Sequence, residues 1–325
     1  MTIHRRSFLQ LAAGATALGA SGGAMAQGAY PSKPVRFVIS FPQGGPNDIL
    51  GRIIAGWLSQ QLKQPFEVDN KPGASGNTGT EIVVRAPADG YTVLLCGPAN
   101  AISGSLFPNL NFNFLRDFQP VAGVTREALV MVTHPSVPAK TVPEFIAWAK
   151  QNLSTIKMAS TGNGSSPHVT GELFKLMTGL PLNVVHYQGG GPALKAMIAG
   201  EAQMMFEPMS ASIEPVRSGK LNAIAVTTTT RSVALPNIPT VAESVPGYEA
   251  SAVTGVAVRK GTPPEIVEIL NKAVNAAFAD AGMKAKLLDT GGEPLPGSSA
   301  EFTKIMEGET AKWGDVVKRS GTKAE

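Results

Sequence analysis

Apolar positions along this chain alternate between two periods. Val35 to Ser40 is a short run rich in β-branched residues, and after it Ile49, Leu50, Ile53, Ile54, Trp57 and Leu58 recur at three- and four-residue intervals. The first pattern predicts a buried strand, the second an amphipathic helix beginning near Ile49. Strand-like runs return at Thr92 to Cys96, Ala128 to Thr133, Ile156 to Ser160, Asn183 to Tyr187, Gln203 to Phe206 and Ala223 to Thr227. Most are followed by loops bearing glycine or proline. Strands alternating with helical patterns predict an α/β fold, with helices covering a parallel sheet.

Residues 1 to 26 break this rhythm. His4, Arg5 and Arg6 give a basic start, Phe8 to Leu18 is apolar and small, and Ala24-Met25-Ala26 matches an A-x-A cleavage site. An export signal is therefore expected, with the mature chain starting near Gln27. The segment has no acidic residue and is rich in glycine and alanine, unlike a buried first helix. Arg5-Arg6-Ser7-Phe8-Leu9-Gln10 also resembles a twin-arginine export motif.

Without the signal, 299 residues remain, with a formal charge of +2. That near-neutral balance offers no basic face for nucleic acid or an anionic membrane. No later apolar stretch reaches bilayer-spanning length, which predicts a soluble mature protein. Cys96 is the single cysteine, so an intramolecular disulfide and a cysteine-rich metal site are excluded. Its neighbours Thr92 to Leu95 predict a buried strand position. This length favours two domains. No linker cuts the chain cleanly, so the domains are expected to be discontinuous. Proline-rich punctuation at 235–239 and 245–248 precedes a strand-like run, Ala252 to Val258, and a helix from Pro263 to Ala279. That order predicts a late return of the chain to the first domain.

Candidate chemistry lies in three loops that follow strands and start helices. Phe41-Pro42-Gln43-Gly44-Gly45-Pro46-Asn47-Asp48 is the first, Thr161-Gly162-Asn163-Gly164-Ser165-Ser166-Pro167-His168 the second and Gln188-Gly189-Gly190-Gly191-Pro192 the third. Glycines permit close backbone approach, and helix starts leave amide donors and a positive dipole end for an anion. Such loops also occur as plain turns, but three together fit the rule that ligands collect at the carboxyl ends of strands. In the second loop Ser166 is expected as the N-cap and Pro167 as the first helical residue. None of the three contains Lys or Arg, and His168 is their one side chain expected to become cationic near neutral pH. Asp48 reads as a helix-start carboxylate. Glu207, in Phe206-Glu207-Pro208, reads equally as a capping or solvated residue and as a partner for a ligand ammonium.

Enzyme motifs are poorly matched. Gly162 to Ser166 lacks the serine position of a G-x-S-x-G elbow. Gly73-Ala74-Ser75-Gly76-Asn77-Thr78-Gly79 lacks the Lys-Ser/Thr ending of a phosphate-binding P-loop. His4, His134, His168 and His186 show no metal-ligand spacing, so neither a metal nor a cofactor is expected. A secreted hydrolase using Ser165 or Ser166 with His168 is the alternative from another functional class.

Taken in order, these and further segments resemble the Bug family of extracytoplasmic solute receptors, the substrate-binding proteins of tripartite tricarboxylate transporters. The likeness runs from Tyr30-Pro31-Ser32-Lys33-Pro34 and Phe41 to Gly45 through Asp69 to Gly76, Pro87 to Thr92, Asp117 to Val121 and Gly162 to His168. It continues through His186 to Ala193, Gly219-Lys220-Leu221, Leu235 to Glu243, Gly261-Thr262-Pro263 and Glu309 to Trp313. The resemblance implies a two-lobed periplasmic-binding-protein fold of type II with its ligand cleft between the lobes. Lobe 1 is expected at 27–125 and 250–325, lobe 2 at 126–249, with hinge crossings near Val121 to Val132 and Val245 to Val256. It implies a periplasmic, monomeric receptor that captures a small organic carboxylate and hands it to membrane transporter subunits. The carboxylate classes are dicarboxylates, tricarboxylates, acidic amino acids and aromatic acids. A ligand-dependent sensor for a membrane signalling protein is a further reading.

Carried over by position, the implied contact residues are Phe41, Gln43, Gly44, Gly45, Asn47 and Asp48 in the first loop and Pro98 and Asn100 after Gly97. From the second loop they are Thr161, Gly162, Asn163, Gly164, Ser165 and His168. Gln188, Gly189, Phe206 and Glu207 complete the set. Two positions depart from the family pattern: Asn47 where threonine is common, and Gln188 where lysine is common.

Overall fold

Val35, Phe37, Val38 and Ile39 are completely buried, so β1 (Val35–Ile39) has an apolar contact on both faces. A strand covered on both sides belongs inside a parallel sheet flanked by helices. In the computed structural model, which describes residues 30–107 and 109–323, β1 pairs in parallel with β2 (Phe66–Asn70) and β3 (Thr92–Cys96). The export signal read at 1–26 lies outside the described residues. Helix α1 (Pro46–Leu62) starts three residues before the expected Ile49, with Pro46 in its first turn. It buries Leu50, Ile54, Trp57 and Leu58, and Trp57 Nε1 donates to Ala273 O at 2.8 Å. α2 (Asn77–Arg85) and α3 (Pro98–Leu106) complete the first strand-helix series, followed by the four-residue α4 (Phe114–Asp117).

A second parallel group repeats the construction. β5 (Lys157–Ser160) pairs in parallel with β6 (Asn183–His186) and β7 (Met204–Pro208). Around it lie α5 (Val142–Gln151), α6 (Ser166–Thr178), α7 (Gly190–Ile198) and α8 (Met209–Arg217). The chain then adds β8 (Asn222–Val226), β9 (Ser251–Arg259), α9 (Pro264–Ala276), α10 (Ala281–Asp289), β10 (Gly292–Pro294) and α11 (Ser299–Ser320).

The two groups are joined by antiparallel strands, which corrects the expectation of a parallel sheet. The strand order is β2-β1-β3-β9-β4-β7-β5-β6, with β8 and β10 also paired to β4 (Phe118–Thr133). β4 is 16 residues long, roughly 50 Å at the usual rise. Its residues Phe118 to Ala128 pair with β9, and Leu129 to Thr133 pair with β7. Register shifts between Pro120 and Ala122 and between Gly123 and Thr125 interrupt its ladder with β9. Pro120 and Gly123 are strand breakers by type, and so the sequence pattern showed only Ala128 to Thr133.

The fold is therefore two-lobed, each lobe built on one parallel group. α11 packs on α3, β4 and α6 and thereby touches both lobes. Trp313 in this helix is buried, with Nε1 donating to Glu309 Oε2 at 2.8 Å. Cys96 closes β3 as a buried strand residue, as expected, and burial pushes its thiol up to about 12. No helix among the described residues is long and apolar enough to cross a membrane.

Candidate functional site

The carboxyl ends of β1, β3, β5, β6 and β7 face one another across a cleft of about 520 Å³. Helices α1, α3, α6 and α7 all begin at its wall, at Pro46, Pro98, Ser166 and Gly190. Each helix start presents backbone N–H groups that no preceding turn of helix can accept, with the positive end of the dipole behind them. The cleft is thus surrounded by fixed donors.

Several of these donors already have partners inside the protein. Gly44, held at φ +82 in a conformation that favours glycine, gives its N–H to Asp48 Oδ2 at 2.9 Å. Arg52 Nε donates to the same oxygen at 3.0 Å, and Asn70 Nδ2 donates to Oδ1 at 2.9 Å. Burial opposes ionisation of Asp48, but the bonds from Arg52, the Gly44 amide and Asn70 outweigh it and hold the carboxyl below its usual range. Asp48 therefore serves the helix start, as its position suggested, and stands behind the cleft wall. Gly45 and Asn47, among the described residues, give their amides to no protein acceptor. The same division occurs at α6. Gly164 N donates to His168 Nδ1 at 3.0 Å, while the amides of Asn163 and Ser166 have no such partner.

Two expectations about the second loop change. The N-cap of α6 is Ser165, whose Oγ accepts from His168 N at 3.3 Å; Ser166 is the first helical residue. His168 does not supply a cation. It is buried, and burial, with His186 and Lys175 adding repulsion, brings its pKa down to about 3. Its Nδ1 accepts from Gly164, so the Ser-His pairing of the hydrolase alternative is not assembled: Ser165 caps the helix, and Ser166 Oγ is buried without a partner. His186 Nδ1 lies 2.6 Å from Ser160 Oγ and its ring meets the edge of His168.

The cleft wall includes Phe41, Gln43, Gly44, Gly45 and Asn47 from the first loop, and Pro98 from α3. It also includes Thr161, Gly162, Asn163, Gly164 and Ser165, with Gly189 and Glu207. Asp48, Asn100, His168 and Phe206 are buried behind it. Asn100 Oδ1 accepts from Gly97 N at 2.9 Å and its Nδ2 donates to Thr80 Oγ1 at 2.9 Å, so it shapes the α3 turn from within. Phe206 stacks on Tyr248 in the core. Gln188 does not reach the wall. Across the mouth, Ser75 Oγ donates to Asn163 O at 3.4 Å.

Sequence reasoning missed Glu127 and Thr254, which line the cleft from β4 and β9. Both sit on strand segments whose apolar pattern is interrupted, and nothing in the local sequence marks them. Glu127 Oε1 accepts from Ser210 N at 2.9 Å and Ser210 Oγ at 2.7 Å, at the start of α8. Burial raises its pKa despite these bonds. Glu207 is 2% exposed, and its Oε2 is buried with no hydrogen-bond partner. Burial first, and then the neighbouring Glu127, push its pKa up to about 8. Two carboxyl groups thus share one wall, and no Lys, Arg or His lines the cleft. No group of three or more metal-ligating side chains occurs among the described residues.

A family model described as the tripartite tricarboxylate transporter family receptor matches residues 50–322. The protein BugT of Bordetella pertussis is 34% identical over 297 residues, which cover 90% of this chain and 91% of BugT. Among solved structures, R. palustris Rpa4515 with adipate superposes with a TM-score of 0.83 at 34% identity, covering 90% of this chain and 98% of its own. MatC from Rhodopseudomonas palustris with bound malate gives 0.80 at 28% identity, covering 89% of this chain and all of that one.

Proposed function

The chain belongs to the tripartite tricarboxylate transporter receptor family, with the Bug proteins among its relatives, and on that basis we propose that it captures a small organic carboxylate in the periplasm. The observation that carries this reading is the convergence of four helix N-termini on one cleft without a basic side chain. Backbone donors can hold a carboxylate through charge-assisted hydrogen bonds of about 1.5 to 3 kcal/mol each. The amides of Gly45, Asn47, Asn163 and Ser166 are the candidate donors. Several such bonds support micromolar affinity, roughly 8 kcal/mol, without an arginine clamp. The relatives solved with adipate and with malate agree with a carboxylate ligand.

In this reading the chain is a monomeric receptor that passes its ligand, chemically unchanged, to the membrane subunits of a transporter. The lobes are 27–125 with 250–325, and 126–249, and β4 and the approach to β9 act as the hinge. The pairing switch of β4 at Ala128 and Leu129 supports this division. Residues 1 to 26 act as the export signal.

A thermal-shift screen tests the carboxylate reading. Acids are expected to raise the melting temperature, and the corresponding amides or methyl esters are not. At about 100 times the dissociation constant the stabilisation is roughly 2.7 kcal/mol, a shift of several degrees. Equal shifts from an acid and its amide would overturn the reading.

A further inference from the structure

The carboxylate-receptor reading leaves open what the ligand carries besides its carboxylate, and the two acidic residues on the cleft wall bear on that. Glu127 and Glu207 come from antiparallel strands that run side by side, β4 and β7. Both line the same cleft as the helix starts. Glu127 is anchored by two hydrogen bonds from Ser210, whereas Glu207 has none. A buried carboxyl oxygen without a partner is rare, because leaving it unpaired forfeits the hydration it would have in the unfolded chain. Glu207 Oε1 lies 3.5 Å from where a Cβ on Gly190 would stand, and Gly190 itself lines the cleft. The Glu207 carboxyl is therefore presented to whatever occupies the space beside the start of α7.

The helix starts around the cleft supply amide donors, which suit an anion. The Glu127 and Glu207 wall suits the reverse. A second carboxylate placed against it would add a third acidic group to a wall that has no basic side chain to neutralise it. An ammonium group would supply hydrogen-bond donors and the missing positive charge together.

Resting on the carboxylate-receptor reading, we propose that the ligand is an amino acid in the broad sense: a carboxylate for the helix starts joined to an ammonium group that binds between Glu127 and Glu207.

Isothermal titration calorimetry on the mature protein tests this with matched probes. The amino acids are L-alanine, β-alanine, 4-aminobutanoate, 5-aminopentanoate and 6-aminohexanoate. Their partners are malonate, succinate, glutarate and adipate, compared at equal chain length. At least one amino acid is expected to bind about tenfold or more tightly than the dicarboxylate of its length. Glu207→Gln keeps the shape of the side chain and removes its ability to ionise against a bound ammonium, so it is expected to cut that preference to within about threefold, chiefly by weakening the amino acid. Glu127→Gln provides a second variant should the first fold poorly, with the same expectation. A dicarboxylate that binds as tightly as every amino acid would overturn the inference while leaving the carboxylate-receptor reading in place. A preference unchanged in both variants would also overturn the inference. Binding of neither class would overturn the receptor reading and this inference with it.

Discussion

Raising the pH should destabilise the ligand-free protein through Glu207 alone, and the amount can be worked out. In the unfolded chain this carboxyl ionises near its ordinary value of 4.5; in the folded protein its pKa stands at about 8. Between those values the folded state keeps a proton that the unfolded state releases. Stability is then complete below pH 4.5 and falls as pH rises, by about 1.4 kcal/mol for each unit, until it levels off above pH 8. Over the whole window the loss is roughly 4 to 5 kcal/mol, on the order of 10 °C in melting temperature for a protein of this size. Other groups titrate over the same range, so the informative quantity is the difference between wild type and Glu207→Gln. Thermal melts of both at pH 5, 6.5 and 8 should show the variant gaining on the wild type as pH rises, with most of the gain above pH 5. Parallel curves would refute the burial-and-repulsion account of Glu207.

Three further outcomes are expected. Gly190→Ala adds a methyl group 3.5 Å from Glu207 Oε1, at a residue whose φ is not positive, and should weaken ligand binding about tenfold by calorimetry with the melting temperature nearly unchanged. Ser165→Ala removes the side-chain cap of α6 and should cost about 1 kcal/mol in chemical denaturation, with no loss of ester hydrolysis, because the serine caps the helix and does not meet the His168 ring. In a heteronuclear NMR titration, His168 should stay neutral from pH 8 down to pH 5 with its proton on Nε2; a midpoint near 6.5 would contradict the buried setting described for it.

Much of the fold could be read from local pattern where a strand is apolar throughout and a glycine loop follows. Thr92 to Cys96 matched its strand at both ends, and Asn183 to Tyr187 matched to within a residue. The pattern failed at β4, because Pro120, Gly123 and the pair Arg126-Glu127 look like a loop in isolation. Those residues are strand only because β9, more than 120 residues away, supplies the ladder. Antiparallel joining of the lobes was illegible for the same reason. The cleft wall was legible in its glycine loops, since φ, capping and helix starts are local properties. Glu127 was not, since a single carboxylate on an irregular strand acquires meaning only from Ser210 and Glu207 across the fold. His168 misled because its type suggests a charge that its burial forbids.

The position of β9 also has a consequence for the order in which the chain can fold. Its residues, Ser251–Arg259, separate β3 from β4 in the sheet, although both of those strands are made more than a hundred residues earlier. Until β9 has emerged, β3 has an open edge, and β4 has no partner for Phe118 to Ala128. α11, which packs on elements of both halves, arrives later still. A chain delivered from its amino end, whether by a ribosome or through a channel, therefore carries an incomplete first sheet until nearly all of it has passed. Such a chain is kept from premature closure by its own topology, and a truncation before Ser251 should leave that first sheet unable to fold.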